Sequence, residues 1–292
     1  MKTKSMVVAI ALIISFLGCN AQNEKEEANF PELKGPYLGQ KPPGMILELF
    51  APEVISHIGS EENDINFWPN GEKCIFNRNE VLYETQLKNG KWTIPKPFKP
   101  LENINCFEPG LTPSGNKIFF GNKELKLPKD VSKKAVFGPL WFIEETTQGW
   151  SKPIYFTHGM FPSIERNGTV YFTALTGLMY RDQVSGEYKQ SIPLFSGSYM
   201  EDAHPSVAPD GSYIIFDSEL RSRINNCRFY VTFKLQDGTW SVPVNMGKID
   251  SIPTWGLVRI SSDQKYIFFC DEGNIYWISS KIIEELKPKN LK

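Results

Sequence analysis

Asp64, Glu108, Phe161 and His204 each stand seven places ahead of a turn glycine, at 71, 115, 168 and 211. Asp202 and Trp255 stand nine places ahead of Gly211 and Gln264. Glycoside cleavage needs one carboxyl to protonate the leaving oxygen and a second, about 5 to 9.5 Å away, to attack or to activate water. Asp64, Glu108 and Asp202 are the acids for that chemistry, with Trp255 or Phe161 as the platform for a sugar ring. The same six residues equally furnish a binding surface without turnover. The structural alternative is that Asp64 and Asp202 bond loop amides where a strand begins, as short carboxylates do. No Ser or Cys at a recognisable elbow accompanies His57, His158 or His204, so no residue is assigned as catalytic. No spacing such as His-x-His supports His204, Asp202 and Glu108 as metal ligands, and neither metal nor cofactor is expected.

The elements that must position these residues repeat five times. The turns read Ile65-Asn66-Phe67-Trp68-Pro69-Asn70-Gly71, Pro109 to Gly115, Pro162 to Gly168, Pro205 to Gly211 and a decayed Val258 to Gln264. Each runs into a strand with an aromatic near its end: Phe76, Phe120, Phe172, Phe216 and Phe269. The turns recur every 43 to 53 residues, the interval of a four-stranded propeller blade. A third strand follows in each copy, for example Val81-Leu82-Tyr83 and Phe229-Tyr230-Val231. A glycine and an aromatic then mark an outer strand at Gly90 to Pro95, Gly149 to Pro153, Gly186 to Tyr188 and Gly238 to Pro243, where the aromatic packs on the neighbouring blade. Trp92, Trp150 and Trp240 recur at that place as packing anchors, whereas Trp68 and Trp255 depart from the repeat and mark where function is added.

The fifth copy lacks an outer strand. Met45 to Pro52 aligns with the stretch ending Phe98-Lys99-Pro100, so Phe50 and Pro52 match Phe98 and Pro100. The expectation is an all-β, five-bladed β-propeller in which this N-terminal strand completes the last blade. A six-bladed ring, with a blade inside residues 34–56, is the alternative, but that stretch holds too few strand-like runs.

Residues 1–18 read as a signal peptide, with Lys2 and Lys4 ahead of an apolar run whose end, Phe16-Leu17-Gly18-Cys19, resembles the lipobox of bacterial lipoproteins; the alternative is an ordinary secretory signal cut near Ala21-Gln22. That resemblance makes Cys19 the lipidation site, and residues 19–36 read as a charged, flexible tether and residues 37–292 as the propeller domain. Removing Lys2 and Lys4 takes the formal charge from −1 to −3. No basic cluster exists, which excludes a nucleic-acid partner, because phosphate binding depends on concentrated Lys and Arg. Cys74, Cys106, Cys227 and Cys270 remain, and buried free thiols are favoured over bridges.

The turns, most clearly Asp202-Ala203-His204-Pro205-Ser206-Val207-Ala208-Pro209-Asp210-Gly211, resemble the WD-like repeats of TolB-type propellers of the bacterial envelope. The segment Tyr37-Leu38-Gly39-Gln40-Lys41-Pro42-Pro43-Gly44 is similar to the entry segment of exported relatives, and the acidic stretch after Cys19 resembles a surface-export tag of Bacteroidetes lipoproteins. The resemblance implies protein or ligand binding in the envelope. The expected role is therefore a lipid-anchored scaffold or binding module in the outer membrane, whose partner is an envelope protein, a glycan or a small-molecule ligand. The alternative is a glycan-directed hydrolase or lectin.

Overall fold

The computed structural model describes residues 30–56, 60–132, 137–195, 201–225, 227–249, 252–253 and 256–289. Cys19, His57 and Trp255 lie outside them.

Five antiparallel sheets form a ring in which each innermost strand touches the next and the last touches the first. The innermost strands are Glu62–Phe67, Phe107–Leu111, Met160–Ile164, Asp202–Val207 and Leu257–Ile260, defining blades 1 to 5. Each begins at one mouth of the axial channel and ends at the repeated turn on the opposite face. Gly71, Gly115, Gly168 and Gly211 all take positive φ there, and Gln264 holds the same conformation at φ 60. In all five the turn amide donates to the carbonyl three residues earlier, at 2.7 to 2.9 Å. The decayed sequence thus preserves the turn at the cost of an L-residue in a left-handed conformation.

The ring closes as the sequence implies. Glu48–Leu49 pairs antiparallel with Asn274–Ser279, placing Glu48 opposite Trp277 and Leu49 opposite Tyr276. The Phe50 amide continues the ladder to the Ile275 carbonyl, as the Phe98 amide does to Leu82 and the Leu194 amide to Leu178. Phe50 is fully buried, edge-on to Phe67, Phe268 and Trp277. Tyr37 makes a second closure contact. Its amide donates to Gly71, and its ring lies against Phe67 of blade 1 and Tyr266 of blade 5.

The outer strands differ in detail from the expected segments. The Gly-aromatic pairs mostly lie in the hairpin that leaves the third strand, and blade pairing resumes at Lys96–Pro97, Ile154–His158 and Val244–Asn245. In blade 3, Glu187–Tyr188 pairs only with Gln183–Val184, and Ile192–Pro193 is the fourth strand. The overhanging hairpins let their aromatics reach back to the preceding blade. Trp150 meets Phe98 at 5.7 Å, Tyr188 meets Phe156 at 4.8 Å, and Trp240 meets Tyr171 at 6.4 Å. Trp92 joins the cluster shared by blades 5 and 1 and donates from its indole to Gly35. These contacts carry the aromatic-packing expectation. Trp68 serves a seam of its own: a Cβ on Gly115 would sit 2.3 Å from its ring, and Lys73 Nζ lies 4.4 Å from its centroid.

All four described cysteines are free thiols, with Cys74, Cys106 and Cys227 buried. Burial pushes the Cys106 thiol up to about 12, which keeps it protonated and inert.

Candidate functional site

Three blades carry the same irregularity at the first mouth. The pairing of the innermost strand slips between Phe107 and Gly110, between Met160 and Ser163, and between Ala203 and Ser206. Within those bulges Glu108, Phe161 and His204 adopt left-handed backbone at φ 48, 52 and 49. A bulge re-aims a side chain, and non-glycine residues hold such conformations only where surrounding structure enforces them. Here the three residues meet: the Phe161 ring lies against His204, and the Glu108 carboxylate reaches the Phe161 amide and faces the His204 ring.

Arg259 is the centre of that meeting. It occupies the position five before the turn, where the other blades carry Asn66, Gly110, Ser163 and Ser206. Its Nε lies 2.9 and 3.0 Å from the two Asp64 oxygens, and its Nη2 lies 2.7 Å from Asp64 Oδ2. Nη1 donates to the Pro162 carbonyl at 2.8 Å and Nη2 to the Pro109 carbonyl at 3.0 Å. The guanidinium also lies 3.6 Å from the centroid of the Phe161 ring. One side chain of blade 5 therefore binds blades 1, 2 and 3 and plugs the channel. Neither side chain of the pair is more than 7% exposed. Burial pushes the Asp64 carboxyl up, to about 6, against the pull of Arg259.

His204 lies on the other side of Phe161, its ring 5.2 Å away and nearly perpendicular. Its backbone amide donates to Thr173 Oγ1 in blade 3. Its Nδ1 is 2.6 Å from Asp217 Oδ1, and Arg228 Nη2 donates to the second Asp217 oxygen at 3.0 Å. An ionised carboxylate only accepts, so Nδ1 carries a proton and Nε2 is the atom left to change. Nε2 faces Glu108 Oε1 at 3.9 Å, while Glu108 Oε2 accepts the Phe161 amide at 2.9 Å. Burial alone would push the imidazole pKa down. The bond to Asp217 and the charges of Asp217 and Glu108 outweigh it and raise the His204 pKa above its ordinary value.

The six sequence candidates thus separate. Glu108 and His204 converge at the mouth with about a fifth of each side chain exposed, and Phe161 lies fully buried beneath them. Asp64 lies beneath them, consumed by Arg259. Asp202 is buried and paired with Arg221 Nε at 3.2 Å. The two aspartates are met by arginines, not by loop amides alone. Trp255 lies outside the described residues. Sequence reasoning missed Arg259, Asp217 and Arg228. Arg259 had a signal, because it is the only charged residue at its repeat position. Asp217 had a weaker one: it follows the strand aromatic, where Asn77, Gly121, Thr173 and Cys270 stand in the other blades.

No family model and no curated protein matches this chain. Its solved neighbours include TolB propellers. A protein assigned as TolB from Agrobacterium tumefaciens is 17% identical over 72% of this chain and 69% of its own, with a TM-score of 0.47. TolB from Acinetobacter baumannii is 12% identical over 75% of this chain and 54% of its own, with a TM-score of 0.44. A protein of unknown function from Desulfotomaculum acetoxidans is 12% identical over 78% and 89%, with a TM-score of 0.46. The blade count and the site rest on this chain's own geometry.

Proposed function

We propose that this propeller is a binding module of the bacterial cell envelope and that the mouth where Glu108 and His204 lie over the buried Phe161 ring is its contact surface. The observation that carries the reading is the plug. Arg259 closes the axis and takes Asp64, and Arg221 takes Asp202. Of the three acids proposed for glycoside cleavage, that leaves Glu108 alone at the mouth, whereas the reaction needs two carboxyls facing one bond. A plugged channel with left-handed backbone held at three positions of one mouth suits recognition.

The leader at residues 1–18, the lipid anchor at Cys19, the tether at 19–36 and the outer-membrane location belong to the same proposal. They rest on the apolar run, the Gly18-Cys19 pair and the charged stretch that follows. No helix among the described residues is long and apolar enough to cross a membrane. Incorporation of labelled fatty acid that survives in the intact chain and vanishes in Cys19→Ala tests the anchor.

The contact surface is tested by placing a photocrosslinking residue at Ala203, on the mouth, or at Gln236, remote from it, in cells producing the full chain. Discrete adducts from position 203 and none from 236 support the reading. Equal adducts from both, or adducts from 236 alone, overturn it.

A further inference from the structure

The mouth presents two polar atoms whose partner atoms are already tied down. Glu108 Oε2 is held by the Phe161 amide, which leaves Oε1 facing outward, and His204 Nδ1 is held by Asp217, which leaves Nε2. Oε1 and Nε2 are 3.9 Å apart, beyond hydrogen-bond distance of each other. When the imidazole is neutral its proton sits on Nδ1, so both outward atoms are acceptors. Two acceptors at that spacing suit one donor atom lying between them. A nitrogen about 2.9 Å from each subtends roughly a right angle, within reach of the diverging N–H bonds of a tetrahedral ammonium group, whereas the parallel N–H bonds of a guanidinium edge suit acceptors that lie closer together.

The surrounding charge has the matching sign. Asp217 from blade 4 is balanced by Arg228, and Asp64 from blade 1 by Arg259 from blade 5. Thr173 of blade 3 brings no charge. Among these described groups, Glu108 of blade 2 is the charge left uncompensated whenever His204 is neutral. The Phe161 ring intervenes by touching both the Arg259 guanidinium and the His204 ring. We infer that the mouth is a binding site for a primary ammonium group, the side-chain end of a partner's lysine, held between Glu108 Oε1 and His204 Nε2.

This inference rests on the reading of the mouth as a contact surface and names what it contacts. It carries a built-in competition. A proton on Nε2 supplies the positive charge that the ammonium would otherwise bring and converts one of its two acceptors into a donor. The ligand and the proton therefore weaken each other's binding. Because coupling between two ligands is reciprocal, the ammonium must lower the His204 pKa by the same factor by which protonation weakens the ammonium.

The test uses the full mature chain, n-butylammonium chloride and the blocked amino acid N-acetyl-lysine methylamide as probes, and the imidazole resonances as the readout. Both probes stay protonated from pH 5.5 to 8.5. The expected result is saturable shifts of the His204 resonance at pH 8.5 and affinity about tenfold weaker at pH 5.5. Saturating probe should move the His204 titration midpoint down by about one unit, the same tenfold. Tetramethylammonium, which has no N–H, should leave the resonance unmoved. Tighter binding of the lysine derivative than of butylammonium indicates a protein source for the group, and equal binding a free amine. Glu108→Gln should abolish the shift while the remaining spectrum stays native. Binding that is independent of pH, an equal response to tetramethylammonium, or shifts confined to His57 and His158 would overturn the site in the unaltered protein, with no variant needed. Crosslinking from position 203 would survive such a failure, which separates the ammonium site from the contact surface.

Discussion

Arg259 and Asp64 meet across the seam where the last blade joins the first, with Nη2 2.7 Å from Oδ2 and Nε within 3.0 Å of both carboxylate oxygens. The pair does at the axis what the Glu48–Leu49 strand does at the rim. Taking two charges out of water is costly, and here the cost is offset by a two-point contact plus carbonyl acceptors on blades 2 and 3.

Removing one partner strands the other. Arg259→Met should cost about 3–5 kcal/mol in urea unfolding, because a buried carboxylate loses its counter-charge. Arg259→Lys should recover only part of this, since an ammonium cannot reproduce the planar fork. The double variant Asp64→Leu with Arg259→Met should lose much less than the two single losses combined. Additive losses in that cycle would show that the pair is not coupled.

The closure strand gives a sharper contrast. Phe50 is fully buried against three aromatic rings, while Ile46 is 70% exposed. Phe50→Ala should lower stability by about 3–5 kcal/mol, and Ile46→Ala should change it by less than about 0.5 kcal/mol. Deleting residues 45–52 should leave an aggregating chain, because it frees the Asn274–Ser279 edge and uncovers the blade beneath. An unchanged melting temperature after that deletion would break the closure argument.

Titration should order the described histidines. Burial lowers the His158 pKa, whereas the carboxylates around His204 raise its own. NMR should therefore place the His204 midpoint above 6.5 and that of His158 below it, and Asp217→Asn should bring His204 down. A raised native pKa stabilises the fold fully below the unfolded value of about 6.5 and loses that contribution as pH climbs through the native midpoint. Stability should accordingly fall on the alkaline side of pH 6.5, and His204→Gln should flatten that part of the profile.

The turn on blade 4 tests why glycine recurs. Gly211 sits at φ 73, and a Cβ there would lie 2.4 Å from Glu165 Oε1 of the preceding blade. Gly90 has a similar φ of 78 with open space around it. Gly90→Ala should cost about 1–2 kcal/mol from backbone strain alone, and Gly211→Ala should cost more, because Glu165 must also move and loosen its bond to the Tyr171 hydroxyl. Equal losses would mean that the inter-blade contact at Gly211 contributes nothing.

The sequence alone determined the repeat, the turns and the ring, because each is a local pattern that recurs from blade to blade: a turn residue at positive φ, glycine in four copies and Gln264 in the fifth, a hydrophobic strand, and in four copies an aromatic that reaches one blade back. Even the closure strand was legible, since Phe50 and Phe98 are one position read twice. It also put Glu108, Phe161 and His204 on one rim, because equal offsets from equal turns become equal heights along a common axis. The tertiary structure alone decided which of those residues are spent and which are free. Arg259 lies 195 residues from Asp64 along the chain, and their pairing exists only once the ring is shut. His204 acquires its charge partners from blades 2 and 4 together. Repetition encodes geometry within a blade, but neutralisation of a buried charge depends on side chains that chain closure brings together, and no local pattern records it.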